Sequence, residues 1–144
     1  MMVFNTSIFC TAIVTKEIFT LPVPSTALVK SPEYHQGLRR SDVISCEYED
    51  AVRQEVVKLS LIFKDTWAVK ITYYTANEAP IIPIAYDKVV DFGDTTWLKM
   101  IKSTIATNRG SFETLRHFGI FFDDGPFYEF ICESFQTRME TSQE

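Results

Sequence analysis

His117 and Cys132 stand on what reads as the two arms of one aromatic hairpin, LRHFGIFFDDGPFYEFICESF, from Leu115 to Phe135. Across paired strands an imidazole can reach and activate a thiol. A thiol nucleophile needs exposure and an electropositive setting. Cys132 instead lies between Ile131 and Glu133 in an apolar run, and no Asn or Asp is placed to orient the imidazole. The expectation is a buried structural cysteine and a hydrogen-bonded histidine.

Asp123, Asp124 and Glu129 form a carboxylate group that could bind a cation or move protons. The run DDGPFYE lacks the alternating ligands of a calcium loop, so Asp123 and Asp124 read as turn residues and no metal site is expected. Glu129 is different, because a carboxylate on an apolar strand must find water, a cation or a donor. Arg39 and Arg40 could clamp a carboxylate or phosphate bidentately, or simply occupy a solvated loop. Trp67 and Trp97 could line a pocket, but a strand Trp and a helix Trp more often pack together. The chain holds no phosphate-binding glycine loop, dinucleotide fingerprint, HExxH, GxSxG or paired-cysteine site. No cofactor and no catalytic residue is expected.

Composition narrows the function classes. A net charge of −5 opposes broad adsorption to nucleic acid or anionic lipid. Cys10, Cys46 and Cys132 are too far apart for a zinc site or an even-numbered disulfide framework, which fits a reducing, cytoplasmic setting. No run of about 18 apolar residues marks a membrane span. Ile8 to Val14 lacks the basic leader and small cleavage-site residues of a signal peptide. Twelve Phe, six Tyr and two Trp favour sheet and raise the odds of a partner-binding face.

The elements that must hold these residues follow from pattern. Ser7 to Thr15 is β-prone, and Pro22, Pro24 and Pro32 exclude helix from Leu21 to Ser31. Ser31 to Asp42 reads as a long exposed loop. From Asp42 to Lys58 helical and strand periods compete, and strand, turn near Asp50 to Arg53, strand is the preferred reading. Leu59 to Tyr74 reads as a hairpin turning at Lys64 to Thr66. Pro80 and Pro83 make Ile81 to Val90 an edge strand or extended connection. One helix over Asp94 to Asn108 starts at an Asp94 N-cap, carries Trp97, Leu98, Ile101 and Ile105 on one stripe, and stops at Gly110.

Pro126 has no N–H, so the final hairpin is expected to turn through Asp123 to Pro126. That register pairs Phe122 with Phe127 and Ile120 with Glu129. Both faces are apolar, so the hairpin should be central and covered on both sides. Residues 1–136 are expected to form a single globular domain and 137–144 a frayed polar tail.

The expected fold is α+β, a curved and mainly antiparallel sheet of about five to seven strands, sandwich-like or a partial barrel, with one main helix. The expected function is that of a small acidic, non-enzymatic accessory protein of inhibitor, immunity or regulatory type. It would bind a protein with a basic surface through aromatic and carboxylate groups, with Arg39, Arg40, Asp123, Asp124, Tyr128 and Glu129 as contact residues. A homodimer would follow from an uncovered aromatic face. The alternative is a curved sheet enclosing an apolar ligand beside Phe121, Tyr128 and Phe130, with weak hydrolase or isomerase chemistry from His117, Glu129 or Tyr128.

Overall fold

The computed structural model describes residues 15–73, 82–109, 114–123 and 125–141. Alternation of apolar and polar residues is strongest in β3 (Asp42–Asp50) and β4 (Glu55–Lys64), which pair antiparallel as the preferred reading required. Asp50 makes the turn between them, its Oδ1 accepting the N–H groups of Val52 and Arg53. β2 (Glu33–Gln36) pairs on one side of this hairpin and β9 (Ser134–Thr141) on the other, giving a four-stranded sheet in the order β9-β4-β3-β2. The second sheet has five strands in the order β1 (Lys16–Thr20), β6 (Lys88–Asp91), β7 (Arg116–Phe121), β8 (Phe127–Cys132) and β5 (Ala68–Thr72).

The inner faces of the sheets meet in one core. Ile44, Cys46, Leu59, Leu61 and Phe63 come from the first sheet, and Phe118, Ile120, Tyr128, Phe130 and Cys132 from the second. Phe63 and Phe130 stack across the interface with ring centroids 4.0 Å apart. On the outer face of the five-stranded sheet lies α2 (Thr96–Arg109), whose Leu98 and Ile105 pack against Leu115 and Ile131. The result is α+β, antiparallel and sandwich-like, with β7 and β8 central and covered on both faces.

Several expectations change. β4 and β5 are consecutive but do not pair with each other. β4 pairs with β9 from Lys64↔Ser134 onward, while β5 pairs with β8 from Ala68↔Ile131. The two chains therefore form one long ribbon that crosses from sheet to sheet. At the crossing, Asp65, Thr66 and Trp67 stand against only Cys132 and Glu133, so the first chain has one residue more. An extra residue of this kind bends a ribbon and lets strands change sheets. Asp65 takes φ 57° there.

The polar end expected to fray is strand as far as Thr141. Its backbone completes the ladder with β4, although its side chains are mostly exposed and carry no apolar signal. Glu33–Gln36, expected as loop, is strand because Tyr34 turns inward against Tyr128 and Phe130. The Ile81 to Val90 run yields a helical turn, α1 (Ile82–Ala85), followed by β6. β6 is interior, since β1 covers its other edge. Residues 1–14, Pro80, Ile81, Gly110, Asp124 and 142–144 lie outside the described residues, and with them Cys10 and most of the predicted first strand.

The helix N-cap is Thr95, one residue past the expected Asp94. Thr95 Oγ1 accepts the Leu98 N–H at 3.2 Å. The final hairpin also shifts by one residue. Phe118 pairs with Phe130, Gly119 with Glu129 and Phe121 with Phe127, so the loop spans 122–126. Pro126 is outside the ladder as argued, but Phe122 leaves it too and buries its ring fully in the core. A one-residue slip exchanges the faces of a strand. His117 and Cys132 consequently point to opposite sides of the sheet.

A candidate binding cleft and a buried polar chain

On the helix-covered face, the corrected register sets His117 and Glu129 together. His117 Nε2 and Glu129 Oε1 are 2.9 Å apart, and Thr95 Oγ1 is 2.7 Å from His117 Nδ1. One arrangement satisfies every group. The Leu98 N–H donates to Thr95, the Thr95 hydroxyl donates to Nδ1, and the Nε2–H donates to Glu129. Thr95, His117 and Glu129 are each at most 6% exposed. Phe92 and Trp97 flank the imidazole at 5.1 Å between centroids. Glu129 thus finds the donor that its position demanded. Hydroxyl, imidazole and carboxylate in line is also the order of a nucleophilic relay, but this hydroxyl is buried and already caps a helix.

Neither described cysteine is poised as a nucleophile. Both are buried and free. Burial pushes the Cys46 thiol up to about 12. Burial also pushes the Cys132 thiol well above its ordinary value, and its S–H donates to the Ser134 carbonyl at 3.6 Å.

The sheet crossing creates a different feature. Where Thr66 and Trp67 leave the first sheet, the turn from Leu38 to Ser41 stands opposite, tied by the Thr66 N–H to the Arg40 carbonyl. A cleft of about 240 Å³ opens between them, lined by Gln36, Arg40, Asp42, Thr66, Trp67, Ala68 and Val69. The Arg40 guanidinium lies 4.0 Å from the centroid of the Trp67 ring. Arg39 and Arg40 have φ 56° and 59°, a costly left-handed pair for non-glycine residues. Asp42 is 2% exposed. The Tyr34 hydroxyl donates to it, while among the described residues its Oδ2 has no hydrogen-bond partner. Burial raises the Asp42 carboxyl, and the bond from Tyr34 draws it partly back. Burial, with the charge of Asp42 beside it, pushes the Tyr34 phenol up to about 12.

The cleft continues along the open side of the sandwich. Val69 and Ile71 pair with Phe130 and Tyr128 and share their inner face. Tyr34 on β2 lies 5.9 Å from Tyr128 between ring centroids. Ile71 is 41% exposed and Tyr73 77% exposed.

Of the six contact residues expected from sequence, the structure sets Arg40 in the cleft, with Arg39 beside it in the same turn, and Tyr128 in the core behind Tyr34. Glu129 belongs to the buried chain on the other face. Asp123 is elsewhere again: its N–H donates to Ser25 Oγ at 2.8 Å, and its Oδ1 accepts from the Tyr86 hydroxyl at 2.9 Å. Phe121 faces the helix side, opposite to Tyr128 and Phe130, so these three do not line one pocket. Trp67 and Trp97 do pack into one apolar cluster. Asp42, Ile71 and Tyr73 were not singled out from sequence. Asp42 was legible only as a charge within an alternating run, since its burial depends on the distant crossing.

Among the described residues no three His, Cys, Asp or Glu side chains are grouped to hold a metal ion, and no helix is long and apolar enough to cross a membrane. The chain matches no family model, no curated protein and no solved structure.

Proposed function

We propose that this protein acts by binding another protein, as an accessory, inhibitor or regulator, and that its contact surface is the open side of the sandwich. The observation that carries this reading is the continuity of Ile71, exposed on the edge strand β5, and Tyr73 just past its end with the cleft holding Arg40, Trp67 and the Asp42 oxygen that has no hydrogen-bond partner among the described residues. Exposed apolar side chains beside buried aromatic anchors are the composition of interface cores. A basic side chain of the partner suits Asp42, and the chain's net charge of −5 would steer a basic surface toward it.

Further support comes from the groups that could otherwise do chemistry. His117 spends both nitrogens on Thr95 and Glu129, and the described thiols are buried. The two free cysteines among the described residues also suit the reducing cytoplasm. Affinity capture from native lysate tests the reading. The wild-type chain is expected to retain a stoichiometric partner that Ile71→Arg and Tyr73→Ala lose. Absence of such a partner, or its equal retention by both variants, would contradict the proposal.

A further inference from the structure

Among the described residues four strand edges lie at the margins of the two sheets, and three are short, irregular or singly charged in ways that discourage edge pairing. β1 carries a register shift between Glu17 and Phe19. β2 has only four residues. β5 has five, with the exposed Lys70 at its centre. β9 also carries exposed charges, Arg138 and Glu140, but they are of opposite sign and the strand is the longest of the four. It runs eight residues in unbroken register with β4, contains no proline, and among the described residues leaves its outer edge unpaired.

The charges on β9 are self-complementary. Arg138 and Glu140 lie on one face, with side chains 60% and 52% exposed. Met139 between them lies on the other face, 52% exposed, with its sulfur 3.9 Å from the Tyr48 hydroxyl. In an antiparallel, two-fold pairing of β9 with a second β9 centred on Met139, each Arg138 stands opposite the other copy's Glu140. Met139 meets Met139, and Thr137 meets Thr141. Shifting by two residues, the smallest step that keeps the faces, sets Arg138 against itself or Glu140 against itself. A hollow of about 270 Å³ lined by Tyr48, Val57 and Met139 lies beside this centre and offers room for the second methionine.

We propose that two copies of this chain dimerise edge to edge through β9, joining their four-stranded sheets into one of eight. This goes beyond the binding of a different protein and does not depend on it. One strand from each copy is a small interface, so the dimer should form in the micromolar range.

Sedimentation velocity over roughly 1–500 μM, a span set to bracket that affinity, decides the matter. The wild-type chain should pass from monomer to dimer. Arg138→Glu breaks the exposed 3.7 Å pair of Arg138 with Glu140 at a small cost to the fold, and should weaken the dimer at least about tenfold by opposing like charges. The double variant R138E/E140R should restore it. A wild-type monomer throughout, a dimer indifferent to Arg138→Glu, or a double variant that fails to recover would each overturn the proposal.

Discussion

His117 and Glu129 sit where an ionisable group is expensive, and their cost is contained because each supplies what the other lacks. Removing one partner leaves the other buried with an unmet requirement, so the two substitutions should not be equivalent. His117→Ala strands a buried carboxylate and opens a void, and is expected to cost about 3–5 kcal/mol. Glu129→Gln keeps the shape and the accepting oxygen, and should cost about 1 kcal/mol. Urea unfolding monitored by tryptophan fluorescence distinguishes them, and equal losses would contradict the described pairing.

Tyr34 gives a prediction in pH. Its phenol holds its proton to about 12 in the folded chain against an ordinary value near 10. The folded state therefore binds more protons than the unfolded state between these values. The stability linked to this proton is complete below pH 10 and is lost as pH rises toward 12. Thermal melts should fall across that window in the wild type, and less steeply in Tyr34→Phe. Sequence showed that Glu129 needed a partner but not which one. The one-residue register shift that joins it to His117 is decided by whether Phe122 stays in the ladder or fills the core, a choice that local pattern does not record.

Among the elements, the crowded point is where β7 crosses beneath the ring of Phe92. A Cβ at Gly119 would stand 2.6 Å from Phe92 Cε2 and 3.0 Å from Phe127 Cε1. Phe92 is fully buried. Gly119→Ala is expected to destabilise by about 1–3 kcal/mol through overpacking. Circular dichroism melts check this, and a neutral result would place Phe92 elsewhere. The elements with strong internal pattern were legible: the β3–β4 hairpin by alternation, α2 by its Trp97 to Ile105 stripe, and the central hairpin by its two apolar faces. β9 was not, because an edge strand exposed on most of its surface needs no alternation. The hairpin expected over Leu59 to Tyr74 was misleading for a related reason. Two β-prone runs around Lys64 to Thr66 look alike whether the chain turns back within one sheet or bends across to another. Asp94 and Thr95 are both good cap residues, and Thr95 is the one whose side chain also meets Nδ1 of the buried His117.

At the scale of the molecule, the ribbon formed by β4–β5 and β8–β9 ties the sheets together and opens the cleft at its bend. Architecture and surface are thereby divided. The buried chain of Thr95, His117 and Glu129 holds α2 to the five-stranded sheet, while Arg40, Asp42, Ile71 and Tyr73 face the open side. Substitutions should separate along this division. Ile71→Arg changes an exposed residue and should alter stability by no more than about 0.5 kcal/mol, yet it places a bulky charge in the proposed contact surface. Glu129→Gln should lower stability without touching that surface. The most direct test is the fraction of captured partner that each variant retains, measured at a temperature where both are folded. The division predicts that Glu129→Gln keeps the partner at the wild-type level and Ile71→Arg loses most of it. Loss with Glu129→Gln and retention with Ile71→Arg would contradict it.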